Sequence, residues 1–456
     1  MYKKFRFTLR FLVALMKKNR FALSFGLILA IVISWLLPKL LPLTNRFGHT
    51  RHIGLIGRYT ITDLPKDILQ RVSLGLTTLD ASGSASPALA TGWQATDSGK
   101  TYIFDIDTSL HWQNGEPVKS QDIKYNFRDA EIVYPDSGHL VIKLDDPFSP
   151  LPSVVSRPVL KSTGFLALLS RPRLVGVGSY QIGSYRKNGS LLTTLTLFPV
   201  KPRSNLPNLV YHFFPSAQIA RTAFKMGLVD ELNHLTDVGD LASWPNLTLD
   251  SNPLFDRFIG VFFNTDDPFL SGTSGKNFRL ALSYAIDKNR WPHRAFGPIP
   301  PSSWAYNPDV KKYDFDLDRA KDLLSKVEKL PDKFTLTTVP IYAGLAEQLK
   351  SDWSGLGLQV SISISPEIPN QFQALLIAQA IPSDPDQYHL WHSTAEVTNL
   401  TRLKNPRIDK LLEDGRTTME QNSRKIIYSD FQKFLVEESP AIFLYYPDTF
   451  TVSRTP

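Results

Sequence analysis

Cysteine is absent from this chain of 456 residues, and its absence excludes several kinds of chemistry. Disulfide bridges, thiolate-bound metals and thiol nucleophiles all need a cysteine side chain. A lipoprotein signal also needs one, because the lipid is attached to a cysteine. The absence does not by itself identify the compartment in which the protein works.

The chain also lacks an excess of basic charge outside its N-terminus. Its formal net charge is +8, but residues 1–20 hold seven basic side chains and no acid. The other residues carry 44 basic and 43 acidic side chains, so they are nearly neutral. Phosphate contacts dominate nucleic-acid affinity, and a neutral body is therefore a poor nucleic-acid binder. The basic charge is a local feature of the kind found beside a membrane.

Long hydrophobic runs are also scarce, and the N-terminus holds the exception. Residues 21–38 carry no charge, and apolar character resumes after Lys39 as far as Leu43. A helix of 18 to 23 residues spans roughly 27 to 35 Å, enough to cross a hydrocarbon core of about 30 Å. The sequence therefore predicts a transmembrane anchor over 21–43.

The charge distribution orients that anchor. Because basic residues crowd its N-terminal side, the positive-inside rule predicts a cytoplasmic tail over 1–20 and an extracytoplasmic body after a linker over 44–52. A cleaved signal peptide is the alternative, but the basic region is long and no small-x-small cleavage site follows. Residues 5–16 also have the pattern of an interfacial amphipathic helix.

The remaining composition is that of an ordinary folded protein. Apolar residues make up 42% of the chain and aromatic residues 11%, which excludes the disordered class. The length leaves room for two or three domains, each with its own core.

Hydrophobic periodicity predicts an alternation of strands and helices. Strands are predicted over 52–61, 102–107, 140–144, 180–185, 191–198, 257–264, 334–340, 358–364 and 441–446. Helices are predicted over 68–79, 120–127, 217–226, 278–287, 314–324, 343–353, 408–412 and 424–437. The proline-rich stretch 145–158 is expected to have no regular structure.

The most informative stretch is 87–127, which reads as strand, turn, strand, turn and helix start. It resembles a string typical of the extracellular solute-binding protein family 5, the oligopeptide- and dipeptide-binding class of ABC transporters. The matching residues are Pro87, Leu89, Ala90, Trp93, Gly99, Lys100, Tyr102, Phe104, Gly115, Pro117, Val118, Asp122 and Tyr125. Further motifs similar to that family follow in order at Gly176–Tyr180, Gly227 with Asp230, 278–287 and Asp384-Pro385, so the resemblance covers about 53–450.

The resemblance implies an α/β fold, two-lobed and periplasmic-binding-protein-like (type II, peptide-binding class), with a hinge and preceded by one N-terminal transmembrane helix. Lobe one is expected over 53–257, completed by 445–456, and lobe two over 265–440. The crossing strands are expected near Val261–Asn264 and Ala441–Tyr446. The accessory subdomain, about 87–170, is shorter than usual in the family, so we expect it to leave one wall of the cleft open.

The resemblance also points to a ligand site. Oligopeptide-binding members hold the ligand ammonium with an aspartate three residues before the position of Asp384, and Ile381 stands there in this chain. Ala378 likewise replaces a common tryptophan, which puts recognition of free-amine peptides in doubt. The candidate ligand-binding residues are Asn264, Trp304, Ser383, Asp384, Tyr388 and Trp391, with core packing as the alternative for the aromatic ones.

Other chemistry is poorly supported. His389 and His392 stand three apart, but no carboxylate pattern completes a metal site, so no metal is expected. Gly176-Val177-Gly178 lacks the third glycine of a nucleotide-binding turn, and no G-x-S-x-G motif or ordered Ser/His/Asp set is visible. No cofactor and no enzymatic activity are expected.

The sequence therefore predicts a single-pass cell-membrane receptor with an extracytoplasmic body. It captures peptides or similar small solutes by hinge closure and presents them to ABC permease subunits. Its partners are then the solute, the permease and the membrane, without nucleic acid. The alternative is a membrane-tethered sensor or scaffold built on the same fold, and an enzyme ranks third.

Overall fold

The computed structural model describes residues 49–163, 173–201 and 205–455. The predicted tail, the anchor over 21–43 and most of the linker lie outside these residues. Within the described part of the chain, no helix is both long enough and apolar enough to span a bilayer.

The strands are β1 (Thr50–Ile56), β2 (Thr77–Leu79), β3 (Ala85–Pro87), β4 (Ala90–Thr96), β5 (Thr101–Ile106), β6 (Ala130–Val133), β7 (His139–Leu144), β8 (Lys161–Thr163), β9 (Arg173–Val175), β10 (Tyr180–Asn188), β11 (Leu191–Pro199), β12 (Asn208–Phe214), β13 (Glu231–Leu235), β14 (Leu247–Pro253), β15 (Arg257–Phe263), β16 (Phe334–Thr338), β17 (Val360–Ile364), β18 (Ala374–Ala380), β19 (Ala441–Tyr445) and β20 (Asp448–Arg454). The helices are α1 (Lys66–Val72), α2 (Leu151–Val154), α3 (Ala217–Lys225), α4 (Gly272–Tyr284), α5 (Leu317–Ser325), α6 (Ala343–Ser354), α7 (Tyr388–Trp391), α8 (Pro406–Thr417) and α9 (Gln421–Glu438).

Lobe one is built on a seven-stranded mixed sheet in the order β10-β11-β12-β1-β13-β20-β14. Strand β1 lies in its middle, parallel to β12 and β13. Ile53 and Leu55 of β1 pack on one face with Ile68 of α1. On the other face, Phe224 of α3 packs with Leu232. Helices therefore cover the sheet on both faces.

Lobe two is built on a five-stranded sheet in the order β17-β16-β18-β15-β19. The sequence of β15 is apolar without alternation because this strand is buried on both faces. Ile259 and Val261 belong to one core cluster, whereas Phe258 and Phe262 belong to the cluster on the opposite face.

The accessory subdomain is built on a four-stranded antiparallel sheet in the order β4-β5-β7-β6. Tyr102, Phe104 and Ile106 of β5 are buried in its core, and the residues between them are more exposed, as the alternation predicts. The sheet packs against lobe two through the contacts described below. The expectation that this side of the cleft is open is therefore wrong.

The chain passes between the two large sheets twice, at 254–256 and at 446–447. These two crossovers lie side by side, since the Leu254 amide donates a hydrogen bond of 2.8 Å to the Pro447 carbonyl oxygen. The expected crossing near Val261–Asn264 is wrong by several residues, because β15 already belongs to lobe two from its first residue. The second crossing was expected near Ala441–Tyr446. The observed crossover at 446–447 begins at the last residue of that range.

Most predicted elements are confirmed, with boundaries shifted by a few residues. The strands and helices predicted from 140 onward are all present, including the parallel strand–helix–strand unit of β16, α6 and β17. Three local predictions on the N-terminal side of 160 fail, and each has a physical reason.

The helix predicted over 120–127 is only a single turn at Ser120–Asp122, followed by extended chain. Ile123, Tyr125 and Phe127 recur every second residue, which is the period of an extended segment. All three pack on the accessory core, and the Tyr125 hydroxyl donates to the Val155 carbonyl at 2.7 Å.

The helix predicted over 68–79 ends at Val72, and β2 follows. The Val72 carbonyl accepts hydrogen bonds from the Gly178 amide and the Gln113 side chain. Within 145–158 a short helix, α2, is present despite the prolines. Pro150 and Pro152 stand at its N-cap and first turn, where a missing amide hydrogen leaves no helical bond unmade.

Candidate functional site

The parallel strands of lobe one end beside the crossovers. Strand β13 ends at Leu235, which pairs with Phe450 of β20. At the same end of the sheet, Pro253 pairs with Asp448, the first residue of β20. Pro253 directly precedes the first crossover and Asp448 directly follows the second. The carboxyl edge of the lobe-one sheet therefore faces the junction between the lobes.

Lobe two has the same orientation. Strand β18 runs parallel to β16 and ends at Ala380, which pairs with Arg257, the residue directly after the first crossover. Ligands of open α/β sheets bind outside the carboxyl ends of the strands. Because both sheets direct that edge toward the crossovers, the gap between the lobes is the candidate binding cleft.

His234 is the most distinctive residue on the lobe-one side. It lies in an irregularity of β13 and has a left-handed backbone conformation, with φ of 59°. Such a conformation is uncommon for a residue with a side chain and concentrates at functional sites. Its Nε2 lies 3.7 Å from Asp67 Oδ2, and this carboxylate raises the pKa of His234, with a smaller contribution in the same direction from Asp256.

Arg257 lies on the lobe-two side. Its guanidinium donates two hydrogen bonds, of 2.9 and 3.1 Å, to the carboxylate of Asp256, and this raises the pKa of Arg257. Tyr342 follows β16, and burial raises the pKa of its hydroxyl although the nearby Arg257 charge opposes the change. Ile341 beside it is 70% exposed. The edge of the candidate cleft thus combines a pair of opposite charges with an exposed isoleucine and a half-buried tyrosine.

Ile381 lies where the family resemblance predicts an ammonium-binding aspartate. Its side chain is only 9% exposed and packs in a core cluster of lobe two. Its amide donates a hydrogen bond of 2.7 Å to the Asp256 carbonyl oxygen. At this position the chain offers the cleft neither a carboxylate nor a free amide hydrogen.

Asp384 is engaged inside the protein. Its two carboxylate oxygens accept hydrogen bonds of 2.6 and 3.2 Å from Arg424, and Oδ2 also accepts one of 3.3 Å from the Ser153 hydroxyl. Both members of the ion pair are buried. Burial by itself lowers the pKa of Arg424, but the Asp384 carboxylate outweighs it and raises that pKa.

Trp304 and Ser383 lie near this ion pair. The Arg424 guanidinium is 5.3 Å from the centre of the Trp304 ring, and the Trp304 amide donates to the Ser82 carbonyl oxygen at 3.0 Å. Ser383 is exposed, and its carbonyl oxygen approaches the backbone of Gly83. The structure therefore brings three predicted site residues together where the accessory subdomain meets lobe two.

The other three predicted site residues have separate surroundings. The Tyr388 ring stacks on the His392 ring with their centres 4.0 Å apart, and the Arg416 guanidinium lies 4.1 Å from its centre. Trp391 is a core residue, and its indole nitrogen donates to Gln387 at 2.8 Å. Asn264 lies at the opposite end of the lobe-two sheet and donates to the Phe372 carbonyl oxygen. A ligand role for any of the six remains a prediction.

The two histidines considered for metal binding do not share a site. His392 is buried, with Nδ1 2.8 Å from the Thr394 hydroxyl, whereas His389 is exposed. Throughout residues 49–163, 173–201 and 205–455, no group of three or more histidine, aspartate or glutamate side chains is arranged to hold a metal.

Sequence reasoning missed the residues that line the cleft edge, namely Asp67, His234, Arg257 and Tyr342. Each stands at or just beyond an element end, where no local motif marks it. The available signal was the position of strand ends beside the two crossovers, and it required the crossovers to be placed correctly.

Comparison with known proteins identifies the family. The family model described as "Bacterial extracellular solute-binding proteins, family 5 Middle" matches residues 84–131 and 128–393, about two thirds of the chain. The probable D,D-dipeptide-binding periplasmic protein DdpA of Escherichia coli (strain K12) is 21% identical over 419 residues, which cover 78% of each chain.

Solved structures share the fold. The nickel ABC transporter structure from Bacillus halodurans superposes with a TM-score of 0.74 at 16% identity, covering 89% of this chain and 95% of the other. The oligopeptide-binding protein AppA from Bacillus subtilis, in complex with a nonapeptide, gives 0.65 at 17% identity, with 89% and 95% covered. The predicted two-lobe α/β fold is thereby confirmed. The family is one of binding proteins rather than enzymes, and this chain belongs to the bacterial extracellular solute-binding proteins of family 5.

Proposed function

We propose that this protein captures a peptide or similar small solute between lobes one and two and presents it to an ABC permease. The observation that carries the proposal is that both large sheets direct the carboxyl ends of their parallel strands toward the same pair of crossovers. A solute that contacts both walls binds the closed arrangement better and shifts the population toward it.

The surroundings of Ile381 and Asp384 bear on how the amino terminus of a bound peptide would be recognised. Ile381 is buried where an ammonium-binding aspartate is expected, and Asp384 is already paired with Arg424. A charge-assisted hydrogen bond contributes about 1.5–3 kcal/mol. We therefore expect little preference for peptides with a free amino terminus over those whose amine is blocked.

Membrane attachment and lobe boundaries belong to the same proposal. The run over 21–43 and the basic residues before it support a single anchor with a cytoplasmic N-terminus. With the crossovers at 254–256 and 446–447, lobe one extends over 53–253 with 448–455, and lobe two over 257–445. Carbonate extraction of membranes tests the anchor, because a retained transmembrane helix keeps the protein in the pellet.

Thermal unfolding of the purified full chain tests ligand capture. The panel holds free-amine di-, tri- and oligopeptides, their N-acetylated counterparts, sugars and a nickel–histidine chelate. A ligand present at a hundred times its Kd stabilises the folded state by about 2.7 kcal/mol. Stabilisation by peptides, with and without the acetyl group, supports the proposal. Stabilisation only by sugars or the chelate rejects peptides, and turnover of any compound rejects a binding role.

The sensor or scaffold alternative rests on the buried Ile381 and the predicted anchor. Co-purification from membranes separates the two candidates. An ABC permease in the purified complex favours transport, whereas a kinase-like membrane partner without a permease favours sensing.

A further inference from the structure

The lobes are connected at a second place besides the crossovers. The turn between β2 and β3 (82–84) and segments 99–102 and 148–153 of the accessory subdomain contact Trp304, Ser383 and residues 415–421 of lobe two. Lobe two is therefore held to the rest of the chain both at the crossovers and at this second interface.

Backbone groups form the centre of this interface. The Ser149 amide donates to the Arg416 carbonyl oxygen at 2.8 Å, and the Ser149 hydroxyl donates to the Gly415 carbonyl oxygen at 3.2 Å. Near its edge, the Gln421 side chain donates to the Ser84 hydroxyl at 2.9 Å. The Ser153 hydroxyl adds a hydrogen bond of 3.3 Å to the buried Asp384 carboxylate. Apart from that bond, these contacts join neutral groups, each worth about 0.5–1.5 kcal/mol.

Close packing completes the interface. The Met419 side chain fills the space where a Cβ on Gly99 would stand, and the Tyr102 hydroxyl lies 3.4 Å from its sulfur. Gly99 and Gly83 both have positive φ, of 93° and 82°, and at Gly83 a Cβ would lie 2.6 Å from the Ser383 carbonyl oxygen. The two surfaces are therefore fitted to each other.

The accessory subdomain is attached to lobe one in a different way. The side-chain amide of Gln113 lies within 2.7–3.3 Å of the carbonyl oxygens of Val72, Gly178 and Tyr180, and its oxygen accepts from the Gly176 amide at 3.0 Å. A Cβ on Gly176 or Gly178 would lie 2.0–2.3 Å from a backbone carbonyl oxygen of α1. These contacts pack the accessory subdomain closely against α1 and β10 of lobe one.

We propose that the contact between the accessory subdomain and lobe two is a latch that must open before a solute can enter the cleft. The accessory subdomain moves with lobe one, because the Gln113 junction fixes it there. Rotation of lobe two about the crossovers then has to separate Ser149 from Arg416 and Ser84 from Gln421. The inference rests on the proposed lobe closure, but its test needs no ligand.

The absence of cysteine makes the test direct. Single variants Ser149→Cys and Ser73→Cys place one thiol in the latch and one in the fixed junction, at serines that are 8% and 0% exposed. Ser73, which directly follows α1 of lobe one, donates to the carbonyl oxygen of Val159 in the accessory subdomain. The rate of reaction with a soluble disulfide reagent reports opening around each thiol in the full chain. We expect Ser149→Cys to react at least ten times faster, and equal rates overturn the proposal.

A second substitution in each background identifies what holds the latch. Gln421→Ala removes the hydrogen bond to Ser84 and is expected to speed the reaction of Ser149→Cys several-fold without changing that of Ser73→Cys. Lys425→Ala, an exposed position on the same helix, is the matched control and leaves both rates unchanged. If Gln421→Ala changes neither rate, or changes both equally, the interface does not act as a latch.

Discussion

Asp384 and Arg424 form a buried ion pair within lobe two, with Oδ1 and Nη2 2.6 Å apart. The Ser153 hydroxyl adds a further hydrogen bond to the same carboxylate from the accessory subdomain. The sequence motif that marks Asp384 as a candidate ligand contact thus serves to hold helix α9 against the segment after β18. This assignment leads to a measurable distinction between a structural and a ligand-binding residue.

We expect Arg424→Met to lower the free energy of unfolding by about 3–5 kcal/mol, because it leaves the Asp384 carboxylate buried without its partner. Urea unfolding of the full chain measures the change. Lys326→Ala, which breaks an exposed pair with Asp322, is the control and should cost less than about 1 kcal/mol. Equal effects of the two substitutions contradict the structural assignment.

Stability should depend on pH through His234. Its pKa is raised by Asp67, so the pair stabilises the folded state when the imidazole is charged. That contribution is fully present below the ordinary histidine pKa of about 6.5 and is lost as the pH rises through the higher folded value. Because His234 is half-exposed, the effect is under about 1 kcal/mol.

The variant for this test is His234→Asn, which removes the titrating group and keeps a residue that tolerates positive φ. The difference in unfolding free energy between wild type and variant should be larger at pH 5.5 than at pH 8.5. A difference that grows toward high pH has the wrong sign and excludes the Asp67 pairing.

Gly178→Ala should be destabilising by about 1–3 kcal/mol, because its Cβ would meet the Arg71 and Val72 backbone, which cannot move without displacing α1. Gly92→Ala in β4 is the control, since no atom lies within 4 Å of its added carbon. Differential scanning calorimetry compares the two. A neutral Gly178→Ala would show that the junction between lobe one and the accessory subdomain is loose.

Arg257→Ala should weaken binding of the stabilising solute at least tenfold while leaving the unfolding free energy within about 0.5 kcal/mol. Arg257 lies at the cleft edge, half-exposed, and a contact of its charge with a ligand is worth about 1.5–3 kcal/mol. Isothermal calorimetry measures the affinity, and Arg319→Ala, on an exposed face of α5, serves as the control. Unchanged affinity for Arg257→Ala places the ligand elsewhere.

The fold was largely predictable because the hydrophobic pattern of the sequence is clearest in the segments that are most buried. The apolar run of β15 and the alternation in β5 reflect two-sided and one-sided burial, and both read directly from the sequence. The helix predicted over 120–127 was wrong because residues suited to a helix N-cap precede apolar residues that recur at every second position. There the packing of Tyr125 against the accessory core decides the conformation.

The site was less predictable than the fold. Ile381 and Asp384 could be located from the family motif, but their environments depend on partners such as Asp256 and Arg424 that are distant in sequence. His234 and Arg257 carry no motif, and they come near each other only because strand β13 ends and strand β15 begins at the same junction. Such pairings are a property of topology and not of any local pattern.

The side-by-side crossovers have a mechanical consequence. The Leu254–Pro447 hydrogen bond joins the two short connectors, so a swing of the halves about an axis through both connectors is the movement that preserves it. Sliding or twisting modes would tear that bond. Under the proposed function, solutes of different chemistry would then drive the same swing, because the axis is set by the connectors and not by the bound molecule.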